Sequence, residues 1–154
     1  MKYKIKNRNL FLVDYLYNNE IYSLFIKLLI KNGKITISQK IFYNTINILK
    51  KKYKSIKKTL NILDKVIKKC SVKYEFIKKK IGNSLINIPI LIKNKLKRYK
   101  LGIKLIIKYS KKRKEKNMFN KLANEIIDTY KKNSNTYKRK KEITKILILN
   151  KNYI

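Results

Sequence analysis

At Cys70 the spacing of apolar residues changes from that of a helix to that of a strand, and this change limits what the chain can fold into. Before it, Ile56, Leu60, Leu63, Ile67 and Cys70 step by 4, 3, 4 and 3, the stripe of an amphipathic helix. After it, Val72, Tyr74 and Phe76 alternate with Lys73 and Glu75, while Ile86, Ile88, Ile90 and Ile92 alternate with Asn87, Pro89 and Leu91. Gly82 and Asn83 lie between the two runs as turn residues, so the stretch 72–92 predicts a β-hairpin. Pro89 cannot donate to a ladder, and a two-stranded ribbon has open edges where it can sit. Isolated hairpins are marginal in water, so this one needs a body or a partner to hold its shape.

Helical stripes on both sides supply the body. Ile21, Leu24, Phe25, Leu28 and Leu29 mark a first helix, which Asn32-Gly33 ends with residues suited to positive φ. Ile37, Ile41, Phe42, Thr45, Ile48 and Leu49 mark a second, starting after Lys34 and fading at the basic run 50–54. Beyond the hairpin, helices over 95–111, 115–132 and 136–150 carry Leu101, Leu105 and Ile106, then Met118, Leu122 and Ile126, then Ile143, Ile146 and Leu147. The fold class is mainly α: a body of about six helices in a bundle, with a two-stranded β-hairpin projecting between helices three and four. The alternation of basic and apolar residues over 1–17 predicts a basic, extended N-terminal arm. The 154 residues form one domain, with the arm at 1–17, helices one to three at 18–70, the ribbon at 72–92, and helices four to six with a short tail at 93–154.

Charge then restricts the partners. Lys and Arg number 42 against 8 Asp and Glu, a net +34 whose self-repulsion opposes compaction unless a polyanion neutralises it. That polyanion is nucleic acid or an acidic membrane surface. The longest uncharged run, 81–92, contains Pro89 and falls well short of the ~20 residues that span a bilayer, so no membrane span is expected. Residues 1–13 show no small-residue cleavage site and lack the Arg- and Ser-rich character of import peptides. With one cysteine and no histidine, an intramolecular disulfide and a zinc ligand set are both excluded, and Cys70 reads as a small core residue. No metal, no cofactor and no catalytic residue is expected. Glu125 and Asp128 can share a helical face, but Lys121 and Lys132 stand at helical spacing from them, so a solvated, ion-paired face is expected and not an acid–base pair. An enzyme is therefore disfavoured. Lys, Asn, Ile and Tyr dominate and Ala123 is the sole alanine, the bias of an AT-rich genome such as an organelle's; an AT-rich bacterium or a nuclear gene of an AT-rich organism is the alternative.

Three strings carry a resemblance to a known family. "LFIKLLIKNGK" (Leu24 to Lys34) is similar to the first helix and Asp-Gly-Lys loop of the S-seven family of small-subunit ribosomal proteins, with Asn32 in place of the aspartate. "IGNSLINIPI" (Ile81 to Ile90) resembles its Val-Gly-Gly-Ser-x-x-x-Val-Pro-Val ribbon, with Asn83 in place of the second glycine. "NMFNKLANEI" (Asn117 to Ile126) resembles its Ser-Met-x-x-x-Leu-Ala-Asn-Glu-Leu helix, the most specific string of the three. The family's Pro-Asp-Pro survives only as Val13-Asp14-Tyr15, Lys104 stands near the place of a frequent tryptophan, and the tail stops at Ile154.

The resemblance implies a structural protein that binds the 3′ major (head) domain of small-subunit rRNA and helps begin head assembly. It also implies neighbouring head proteins as partners, a ribbon near exit-site tRNA and the mRNA exit region, and no homo-oligomer. Drift from the bacterial pattern favours a mitochondrial ribosome, with a plastid or an AT-rich bacterium as alternatives. The candidate RNA-binding residues are Lys2, Lys4, Lys6 and Arg8 in the arm; Gly33 and Lys34 after helix one; and Lys78, Lys79 and Lys80 in the ribbon. To these are added Lys93, Lys95, Lys97 and Arg98 at the start of helix four, Lys111, Lys112 and Arg113 at its end, and Lys138 and Arg139 in helix six. Tyr3, Tyr15, Tyr22 and Tyr43 are read as packing residues before base-stacking ones. A DNA-compacting protein and a cationic membrane-surface protein are the rivals; six short stripes point to a shared core, not to one long surface helix.

Overall fold

The computed structural model describes residues 14–149. Its elements are α1 (Glu20–Leu29), α2 (Ile35–Tyr53), α3 (Ile56–Cys70), β1 (Tyr74–Ile81), β2 (Ser84–Leu91), α4 (Lys95–Lys111), α5 (Met118–Tyr130) and α6 (Asn135–Leu149). Six helices and one hairpin thus occur in the expected order. The arm candidates Lys2, Lys4, Lys6 and Arg8, with Tyr3, lie outside the described residues. The last part of the expected arm is a turn and not an extended strand: Asp14 accepts the Tyr17 N–H at 3.0 Å, and its carbonyl accepts the Asn18 N–H at 2.7 Å.

The helices begin and end where local chemistry dictates. Asn19 caps α1 by accepting the Ile21 N–H at 2.9 Å, and Asn94 caps α4 by accepting the Leu96 N–H at 2.8 Å. Lys54 closes α2 in the left-handed conformation, at φ 55°. α5 starts at Met118, later than its charge pattern indicates, because Asn117 is extended and Glu115 is held by side chains of the preceding loop and of α5.

Apolar stripes of the first five helices meet in one core containing Phe25, Phe42, Leu49, Leu63, Ile103 and Leu122. An aromatic group anchors one end, with Phe42 5.3 Å from Phe25 and 5.8 Å from Tyr22, centroid to centroid. Tyr22 donates to Asp64 at 3.0 Å and Tyr43 to Asp14 at 2.7 Å, so both pack as expected, whereas Tyr15 is 95% exposed. Burial pushes the Cys70 thiol up to about 12, which keeps it protonated in the core. α6 is the least embedded helix: Thr136 is its one buried residue, and it is tied down by Lys140 donating to the Lys69 carbonyl.

Gly102 allows α4 to approach the end of α3. A Cβ there would lie 3.0 Å from Cys70 C and O and from Ser71 N, all backbone atoms at the point where the chain leaves α3 for the hairpin. Gly102→Ala would gain up to about 1 kcal/mol in helix propensity but lose about 1–3 kcal/mol to overpacking against backbone. Net destabilisation is expected in a denaturant melt; a more stable variant would show that α3 can move aside freely.

The hairpin is a two-stranded antiparallel sheet in the register Tyr74↔Leu91 through Ile81↔Ser84. Gly82 has φ +60° at the first central position of the two-residue turn, a conformation a glycine adopts without strain. The Ile92 N–H donates to the Lys73 carbonyl at 2.9 Å, which makes 73/92, 75/90 and 77/88 the hydrogen-bonding pairs. Pro89, opposite Phe76, therefore falls at a non-hydrogen-bonded pair and removes no ladder bond. Paired residues share a face, so Val72, Tyr74 and Phe76 stand with Pro89 and Leu91, while Ile88 and Ile90 lie on the other face. The first of these faces turns toward Leu101 and Leu105 of α4 and Ile143 of α6.

Candidate nucleic-acid interface

Helix α4 organises the basic surface, because both of its ends meet elements from elsewhere in the chain. Along its first half and middle, Lys97, Lys100 and Lys104 line a cleft with Lys27 and Glu20 of α1 and with Glu75 at the hairpin base. Lys97 bonds Glu75 at 2.6 Å, and the Arg98 Nε donates to the Ile92 carbonyl at 2.6 Å, so both residues secure the hairpin to the body. Lys93 and Lys95 are exposed beside them.

Toward the other end of α4, ~21 Å from Lys97 and ~10 Å from Lys104 by helical rise, Lys111 shares a cleft with Lys31, Lys34, Ile37 and Met118. The α1–α2 loop reaches it through two left-handed residues, Asn32 at φ 52° and Gly33 at φ 73°. Gly33 thus shapes the loop that presents Lys34. Lys112 is exposed, its Nζ 5.4 Å from the Tyr109 ring centroid.

Arg113 behaves differently from the lysines around it. Its Nε donates to Glu115 at 2.9 Å, and its Nη1 donates to Glu125 at 2.9 Å and to Asp128 at 2.8 Å. The Glu125 side chain is only 2% exposed while that of Asp128 is 37% exposed, so in place of a solvated, lysine-paired face Glu125 is buried and both acids pair with Arg113. Local helical spacing could not reveal this, since Arg113 is 12 residues from Glu125 and approaches from another element. The bonds from Asn124 and Arg113 hold the Glu115 carboxyl down at about 2, so it stays ionised well below neutral pH.

Among the remaining candidates, Lys79 and Lys80 are exposed on β1, and Lys78 pairs with Asn87 in the backbone register. Lys138 is exposed on α6, and Arg139 bonds Glu142 at 2.8 Å on the same helix. Every arginine among the described residues therefore has a protein partner, whereas the exposed cations of both clefts are lysines. Lys27, Lys31, Lys100 and Lys104 join the clefts without being sequence candidates. The signal was present, since Lys97, Lys100 and Lys104 follow the i, i+3, i+7 spacing of one helical face.

The model of the family described as Ribosomal protein S7p/S5e matches residues 1–151. The chain belongs to this family. It is similar to the small ribosomal subunit protein uS7 of Wigglesworthia glossinidia brevipalpis, with 35% identity over 96% of this chain and 93% of the relative. It is likewise similar to uS7 of Carsonella ruddii (strain PV), at 37% over 95% of this chain and 92% of that one. A third relative, uS7c of Euglena gracilis, is 36% identical over 90% of this chain and 86% of the relative. As a member of the S7p/S5e family the chain is a structural, non-enzymatic ribosomal protein of the small subunit. Among the described residues, no helix is long and apolar enough to cross a membrane, and no group of His, Cys, Asp and Glu could hold a metal ion.

Proposed function

We propose that this chain binds the 3′ major (head) domain of small-subunit rRNA as a single copy and helps nucleate head assembly. Its hairpin then lies near exit-site tRNA and the mRNA exit region, beside neighbouring head proteins. The observation that carries this reading is the pair of lysine-lined clefts along α4, each built from segments distant in sequence. Two cationic sites held in fixed relation along one helix can fix the protein's position on a folded RNA through its phosphates. Lysine serves this purpose because irregular RNA is recognised by shape and phosphate, with no base-reading code required. The bias toward Lys, Asn, Ile and Tyr supports an AT-rich genome such as an organelle's, and drift from the bacterial pattern favours a mitochondrial ribosome, with a plastid or an AT-rich bacterium as the alternatives.

Binding to a head-domain RNA fragment, an unrelated duplex of equal length and anionic vesicles at moderate salt tests the reading. Strong salt dependence with a clear preference for the head fragment is expected. Equal affinity for both RNAs would reduce the protein to a generic polycation, and a preference for vesicles would place it on a membrane surface.

A further inference from the structure

We propose that Arg113, Glu115 and Asp128 are positioning residues for RNA recognition: they clasp the loop between α4 and α5 so that Lys111, Lys112 and Lys114 meet phosphate in one fixed geometry. On this view, acidic residues of a chain with net charge +34 help determine which RNA it prefers. The inference rests on the reading that the chain binds a folded rRNA.

The loop 112–117 carries Lys112, Arg113, Lys114 and Lys116, a run whose like charges oppose any single conformation. Arg113 counters this by turning inward. One guanidinium reaches Glu115 in the loop and both Glu125 and Asp128 on α5. The second oxygen of Glu125 accepts the Thr136 hydroxyl at 2.6 Å and the Thr136 N–H at 3.3 Å, so the start of α6 joins the same cluster. Asn124 secures Glu115 from α5 at 3.1 Å. The loop that follows α4, α5 and the start of α6 thus share one set of charge-assisted bonds, while Lys111, Lys112 and Lys114 stand exposed around it. A lysine at 113 would keep the charge but lose the planar fork that spans separated carboxylates.

Electrostatics and positioning make opposite forecasts. Neutralising Glu115 or Asp128 adds one positive charge to the protein, which by long-range attraction alone tightens binding to every polyanion. Loss of the clasp instead weakens binding to the matching shape. Glu115 and Asp128 are the residues to change, because with both made amides Arg113 keeps its buried Glu125 partner, whereas changing Glu125 removes it. The Glu115 Oε2 is buried without a partner, so circular dichroism checks that the amide is accommodated.

The test measures affinity for the head-domain fragment and for the unrelated duplex across a salt series, with far-UV circular dichroism confirming the fold. The variants are the double substitution Glu115→Gln with Asp128→Asn, Arg113→Lys, and Lys112→Met as a phosphate-contact control. The double variant and Arg113→Lys are each expected to bind the duplex at least as well as the wild type but the head fragment about tenfold less tightly, as coupling within one network implies. Their salt slopes should be unchanged, whereas Lys112→Met should lower the slope by about one. An Arg113→Lys variant that keeps the wild-type preference, or a double variant that binds both RNAs more tightly in proportion, overturns the clasp. A wild type with no preference of its own overturns the clasp together with the functional reading, and so separates the two failures.

Discussion

Reversing Lys34, Lys111 and Lys112 together to glutamate is expected to reduce affinity for the head-domain fragment by on the order of a thousandfold at moderate salt, since each reversal removes a phosphate contact and adds repulsion. The salt slope should fall by about three, roughly one for each lost contact. All three side chains are exposed around the end of α4, so the helices should survive the change, and circular dichroism should match the wild type. Filter binding across a salt series measures both quantities. A loss of less than about tenfold would mean that the cleft between the α1–α2 loop and α4 is not a principal RNA contact.

Phe42→Ala carries the largest expected effect on folding. The ring is 1% exposed, lies with its centroid within 6 Å of those of Tyr22, Phe25 and Tyr43, and joins α2 to α1. Truncation removes its buried area and leaves a cavity, at a cost of about 3–5 kcal/mol. Against a typical stability of about 5–15 kcal/mol this approaches the whole margin of a marginal domain. A fall of about 8–15 °C in melting temperature is expected for a chain of this size. A fall of only a degree or two would show that the aromatic group packs loosely, and that the charge balance governs stability instead.

Much of the architecture was readable because it depends on spacing within one element. The 4, 3, 4, 3 steps of α3 and the alternation after Val72 are local properties, and α4 occupies 95–111 as its stripe indicates. α6 has a weaker stripe, with Ile143, Ile146 and Leu147 only half-buried, because it packs on the edge of the body. The hairpin was legible but its faces were not: two apolar alternations can be paired in either phase, and only the Gly82-Asn83 turn with the Lys73–Ile92 bond sets which residues share a side.

The interface was legible as a set of cations and not as an arrangement. Lys34 and Lys111 are far apart in sequence, and the packing that brings α1 alongside α4 is what joins them in one cleft. Arg113 looked like one more cation in a basic run. Its inward turn follows from Glu125, whose buried carboxylate demands a partner that only the tertiary structure supplies. Arg98 shows the same division of labour, since its guanidinium fastens the hairpin base while neighbouring Lys93 and Lys95 remain exposed.

Sedimentation of the native protein from its source through a sucrose gradient tests the central claim most directly. The protein is expected to co-migrate with small ribosomal subunits at moderate salt, and to leave them at high salt, where phosphate contacts are screened. Recovery at the top of the gradient at moderate salt, or with DNA or membranes and not with small subunits, would contradict it.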